Sequence, residues 1–206
     1  MTNEKIFIKA ILAGIFIGIA GLIYLSVDNK TIGAILFSFG LLMVVSKGYF
    51  LYTGKVGYLI PYTKGYLLVL LKTLLGNIIG IATVGLLFRF TGISPIIDAA
   101  QYVALLKLDR TWYQTLILAI FCGMMMYVGV QGYKTMTIDL LKVLIVIFAV
   151  TIFILAKFEH SIANLLYLFV GNVWSLKTLL YIGIWVIGNG IGSIFLNILE
   201  VELSKS

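Results

Sequence analysis

The sequence predicts an all-α integral membrane protein: six transmembrane helices in two inverted three-helix repeats, with the second and fifth helices broken. Three observations carry that expectation. The first is composition. Of 206 residues, 62% are hydrophobic and 11% are charged, with a mean hydropathy of +1.12. Soluble domains carry roughly 25% charged residues. The second is pattern: apolar stretches alternate with short polar turns, and a crossing needs roughly 20 apolar residues for about 30 Å of hydrocarbon. The third is repetition. An intact stretch, an interrupted one and an intact one carrying Gly-Asn-x-x-Gly follow in order, and then the same order recurs.

Composition also narrows the function classes. One membrane domain, residues 1–206, uses the whole length and leaves no room for a soluble domain. The net charge of +7 suits an anionic partner. The basic residues are scattered singly, which argues against nucleic acid and leaves small anions or anionic lipid headgroups. Cys122 is the one cysteine, so no disulfide framework is expected. The first apolar run starts within the first ten residues, with no cleavage site and soluble domain after it, so no signal peptide is expected.

The first repeat covers about residues 7–90. Residues 1–6 are a polar start, and Ala10 to Ser26 is the first span. Gly14, Gly18 and Gly21 share a face there that lets helices approach closely. Asp28-Asn29-Lys30 turns the chain. Thr31 to Val45 is apolar but too short to cross. Ser46 to Lys55 interrupts it, and Val56 to Pro61 resumes as a second half-helix that Pro61 ends. Tyr66 to Phe88 is the third span, with Gly76-Asn77-Ile78-Ile79-Gly80 inside it and a snorkelling Lys72. A connection over about 91–112 holds a short amphipathic helix on the membrane surface, 95–106, with Ser94 as N-cap and Pro95 in its first turn.

The second repeat covers about 113–200. Thr111 to Gly132 is the fourth span, and Gln131 to Asp139 is polar. The fifth, about 140–173, is interrupted by Lys157, Glu159, His160, Ser161 and Asn164. Trp174 marks an interface. Thr178 to Leu199 is the sixth span, with Gly188-Asn189-Gly190-Ile191-Gly192. An inside N-terminus puts Lys5, Lys9, Lys64, Lys134, Lys142 and Lys205 inside. Lys30, Arg89, Lys107, Arg110 and Lys177 are then outside, only a faint positive-inside bias.

Paired interrupted segments in corresponding positions point to a transport site. Irregular backbone at membrane depth survives only inside protein or around a water-filled cavity. Ionisable groups there are functional candidates by default. His160 is the only histidine in the chain and sits in the second interruption. An imidazole ordinarily titrates near neutrality, which suits proton exchange with a weak acid. The plain alternative is a structural histidine satisfied by a nearby carbonyl. Glu159 either tunes that proton, with Asn164 beside it, or pairs with Lys157.

These residues resemble the formate/nitrite transporter family. Phe158-Glu159-His160-Ser161-Ile162-Ala163-Asn164 resembles its fifth-helix break. Leu51-Tyr52-Thr53 resembles the loop that breaks its second helix, and the two Gly-Asn-x-x-Gly motifs resemble its third and sixth helices. The similarity runs from about residue 8 to 198. It implies an aquaporin-like protomer, a homopentamer in the cell membrane with one pore per protomer, and passage of small monovalent anions with protons. It implies no cofactor, no metal and no enzymatic step. His160 resembles the central pore histidine, Thr53 its partner, and Lys107 a vestibule lysine that gathers anions. Phe37, Leu41, Leu51, Tyr52 and Phe153 fall at the apolar constrictions, with Gly123 and Met126 in the pore lining. Departures are Gly123 for the more usual asparagine, Tyr52 for phenylalanine, the charges at Lys47 and Lys157, and an N-terminus too short for the cytoplasmic helix of some members.

Rival readings are weaker. An aquaporin-like neutral-solute pore needs Asn-Pro-Ala motifs, and the two prolines, Pro61 and Pro95, lie in none. An intramembrane serine protease needs a nucleophile turn that Ser161 lacks. A non-transporting membrane scaffold remains as the third reading.

Overall fold

The computed structural model describes residues 3–205, and they are all-helical. The helices are α1 (Asn3–Ser26), α2 (Lys30–Ser46), α3 (Tyr66–Arg89), α4 (Ser94–Asp109), α5 (Trp112–Thr135), α6 (Asp139–Leu155), α7 (Ser161–Gly171) and α8 (Leu176–Leu203). By length and apolar character, α1, α3, α5 and α8 can each cross a bilayer. Helices α2 and α7 are apolar but too short to do so. The polar turns end where side chains take up the first free N–H groups of the next helix. Asn29 Oδ1 accepts from Thr31 and Ile32 N–H. Thr111 and Gln114 form a reciprocal capping box at α5, and Ser175 caps α8.

The repeat is built into the backbone. Helices α1 and α5 are each 24 residues, and α2 and α6 each 17. Helix α3 packs along α1 as α8 packs along α5. Glycine permits the approach: a Cβ on Gly80 would lie 2.1 Å from the Ile11 carbonyl oxygen, and one on Gly192 1.9 Å from that of Ile120. Three crossings separate the copies, so the second lies inverted relative to the first.

Both interruptions are the same turn. After α2, Gly48 takes φ 62°, and after α6, Lys157 takes φ 57°. The next N–H then reaches back, Tyr49 to Val44 O at 2.8 Å and Phe158 to Phe153 O at 2.9 Å. The one after crosses to the neighbouring long helix, Phe50 to Lys9 O at 3.3 Å and Glu159 to Leu118 O at 3.2 Å. Beyond that point the copies diverge. The second continues as α7, a true half-helix. The first was expected to resume as a half-helix and instead forms two 3-10 turns, Tyr52–Gly54 and Val56–Leu59. Gly54 and Gly57 are poor helix formers, and Gly57 is wedged against Tyr127 and the Ser193 backbone.

Helix α4 also differs from expectation. Ile93 occupies the N-cap position with no side-chain bond, and Ser94 and Pro95 are already helical. Ala100, Ala104 and Leu108 form a buried stripe on it, and it seats on α7. Gly171 of α7 meets the Gln101 backbone there.

Candidate functional site

Two buried asparagines hold the interruptions in place. Asn77 Oδ1 accepts from Tyr52 N–H at 2.8 Å, and its amide donates to the carbonyls of Ala10 and Phe50, each at 2.8 Å. Asn189 repeats this: Oδ1 accepts from Ser161 N–H, and the amide donates to Ala119 and Glu159 carbonyls, all at 2.8 Å. Broken backbone within a membrane must find partners, because water is not there to supply them. Each asparagine meets two such needs and ties the break to a carbonyl of the neighbouring long helix.

The second interruption delivers His160 as the N-cap of α7. Its Nδ1 accepts from Ile162 N–H at 3.2 Å and Ala163 N–H at 3.1 Å. A nitrogen that accepts two N–H bonds carries no proton, so the network assigns the proton to Nε2. Nε2 lies 3.2 Å from Thr53 Oγ1, and that tautomer makes it the donor. The Thr53 hydroxyl proton then remains to be given elsewhere. Both residues are buried, at 1% exposure. The two breaks therefore meet through side chains far apart in sequence.

Around this pair the surfaces are apolar. Phe153 lies 5.4 Å from the His160 ring, centre to centre, and meets Phe37 edge to face at 6.0 Å. Leu41, Leu51 and Met126 are buried in the same core cluster. The Tyr52 hydroxyl donates to the Val186 carbonyl at 3.1 Å, a tether that phenylalanine would lack.

Lys107 does not stand alone. Its Nζ is 2.8 Å from Glu159 Oε2, while Arg110 pairs with Oε1 and the Asn164 amide donates to Oε2 at 2.6 Å. Glu159 is fully buried, and its two cations are partly exposed. Two positive charges on one carboxylate leave this cluster with one net positive charge. The Tyr181 hydroxyl donates to the Arg110 carbonyl and pins the turn.

Three expectations change here. Glu159 pairs with Lys107 and Arg110, and Lys157 is exposed, its backbone serving the turn. Gly123 belongs to a helix contact instead of an open wall: a Cβ there would lie 2.2 Å from the Asn189 carbonyl oxygen. An asparagine at that position would collide with α8. Arg110 was missed as a site residue. The available signal was its spacing, three residues after Lys107 and so on the same helical side.

A polytopic membrane protein of inverted repeats, with a buried polar pair where two broken helices meet, has the architecture of a membrane channel or transporter. The family described as Formate/nitrite transporter matches residues 1–201, and the chain belongs to that family. It is 28% identical over 186 residues to formate channel FocB of Escherichia coli (strain K12), covering 80% of this chain and 65% of that one. It is 26% identical over 181 residues to formate channel FocA of Haemophilus influenzae, covering 77% and 63%. The chain thus spans just under two thirds of the length of these curated relatives. A solved structure titled "Pentameric formate channel with formate bound" superposes with TM-score 0.84 at 23% identity, covering 99% of this chain and 98% of that one. An "FNT family ion channel" gives 0.85 at 19%, covering 98% and 91%. At those identities the likeness establishes a shared fold.

Proposed function

We propose that this protein passes small monovalent weak-acid anions such as formate, nitrite or hydrosulfide, with protons, through each protomer of a homopentamer. In this reading residues 1–206 form one channel domain of two repeats joined by the 91–112 connection. The observation that carries it is the buried His160–Thr53 hydrogen bond, with Phe153 against the imidazole and Phe37 against Phe153, and with Leu41, Leu51, Tyr52 and Met126 in the same apolar core as those two rings. An anion entering such apolar surroundings loses hydration, which penalises the charged form and favours the neutral acid. The Lys107–Arg110–Glu159 cluster gathers the anion through its net charge. Near the polar pair the anion takes the Nε2 proton of a His160 imidazolium whose second proton was taken up at Nδ1 from water, leaving neutral imidazole; it then crosses the apolar constrictions as the neutral acid and ionises on the far side. Two N–H bonds occupy Nδ1 of His160, so a relay through imidazolium requires the first turn of α7 to let go.

The test is flux in proteoliposomes for formate, nitrite, hydrosulfide, acetate and lactate, in the native protein and in His160→Asn. Asparagine is a good N-cap, so it keeps the start of α7 while removing the titratable ring. Weak-acid flux with a pH profile altered in His160→Asn is the expected result. Native flux with an unchanged profile would make His160 a polar lining group, with the proton drawn from water. Absence of flux for every substrate would overturn the channel reading in favour of a scaffold.

A further inference from the structure

The mouth at the first break carries positive charge that no carboxylate among the described residues pairs with. A cavity of about 80 Å³ opens there, lined by Leu51, Gly54, Lys55, Val130, Tyr133 and Lys134 among others. A water needs roughly 10–15 Å³ of such volume, so the cavity holds several waters or one compact anion. Leu51, Gly54 and Lys55 of its lining come from the same broken segment that carries Thr53. Lys134 sits at its rim, exposed, and Lys55 is half-buried.

Among the described residues, neither lysine has a carboxylate within salt-bridge reach. Each lies over a ring face instead: Lys55 Nζ 4.4 Å from the Phe50 centroid, and Lys134 Nζ 3.8 Å from that of Tyr58. A ring face is a partial partner, worth about 0.5–2 kcal/mol, and it leaves ammonium N–H donors free. Glu200, on α8, is engaged by the Tyr127 hydroxyl at 2.9 Å. Lys9 adds a third positive charge at this mouth, its Nζ 3.9 Å from where a Cβ on Gly48 would stand. The contrast with the other break is direct. There Glu159 answers Lys107 and Arg110. Here the matching residue after the turn is Phe50, which carries no charge.

We propose that Lys55 and Lys134 form an anion-docking site at this mouth, for one compact monovalent anion: a one- or two-carbon carboxylate, nitrite or a halide. Binding there requires charge and size only, with no need for a transferable proton. A halide therefore docks without crossing as a neutral acid, and it competes with weak-acid substrates from this face alone. The site's purpose rests on the channel reading, and its binding does not.

The probe is bromide. Purified protein in detergent is titrated with sodium bromide and binding is read from bromide NMR line broadening. Formate uptake into proteoliposomes is then measured with bromide on one face or the other. The native protein is expected to broaden the line. Lys55→Gln and Lys134→Gln are each expected to weaken binding about fivefold, since a unit charge about 4 Å from an anion in water contributes about 1 kcal/mol. The double variant removes it. Lys30→Gln, whose lysine lies over Tyr24, donates to the Val27 carbonyl and does not line this cavity, leaves binding unchanged. Bromide slows native formate uptake from one face, and the double variant loses that effect. Broadening that persists in the double variant, or falls equally in Lys30→Gln, overturns the site. Formate flux without bromide binding refutes the dock and leaves the channel standing. Bromide binding without formate flux does the reverse.

Discussion

The two interruptions share a backbone and differ in almost every side chain that matters. Both turn through a left-handed residue, both send the next two N–H groups to matching carbonyls, and both hang from an asparagine with the same three bonds. Yet one turns on Gly48 and the other on Lys157. One follows with Phe50 and Leu51, the other with Glu159 and His160. The first runs on in 3-10 turns and the second in an α-helix capped by the imidazole. Main chain and asparagine therefore set the geometry of this broken membrane helix in both copies. The residues at the turn are then free to carry chemistry, and here only one copy acquired an ionisable pair.

The largest effect should come from removing the shared part. Asn77→Leu and Asn189→Leu each strand two groups of the broken backbone, at about 1–3 kcal/mol apiece, and lose the tie to the neighbouring long helix. Both should lose several kcal/mol in detergent unfolding, and to a similar extent. A large loss in one and tolerance in the other would break the equivalence. Next comes the unshared charge. Glu159→Leu leaves the partly exposed Lys107 and Arg110 without their partner and the Asn164 amide unanswered, a loss of about 1–3 kcal/mol. Phe50→Leu at the matching position should cost far less, and equal costs would show that the charge cluster adds nothing to stability. The smallest effect tests the turn itself. Gly48→Ala places a Cβ at a positive φ, costing about 1–2 kcal/mol. Lys157→Gly relieves that strain but adds about 0.5–1 kcal/mol of chain entropy loss, so its unfolding midpoint should barely move. A clear loss in Lys157→Gly would mean that the lysine side chain itself holds the second break.

Much of this was legible in the sequence. Run lengths of apolar residues gave the spans, because a bilayer fixes how long a crossing must be. The interruptions stood out because polar residues are costly there. His160 and Thr53, from different halves of the chain, lie within hydrogen-bond distance, and it is the resemblance of the two breaks to the family's motifs, not their spacing, that implies such a pairing. What was not legible depends on contacts distant in sequence. Nothing local says that Glu159 turns toward Lys107 and Arg110 and away from Lys157. Nor does anything local say that the missing side chain of Gly123 makes room for the Asn189 backbone. The first break read as a half-helix because its residues are apolar. Crowding at Gly57 by Tyr127 and Ser193 is visible only once α5 and α8 are in place.

The His160 ring is fastened at both ends, by two main-chain amides on one side and a hydroxyl on the other. It therefore cannot flip or reorient as an independent side chain. Any rotation of the ring unlatches the opening turn of α7, and any loosening of that turn releases the ring. The exchange of the Ile162 and Ala163 amides with deuterated solvent thus becomes a clock for the imidazole. Each exchange event marks a moment when one of the two amides has let go of the nitrogen facing the helix, and substrates that engage the ring will change its pace.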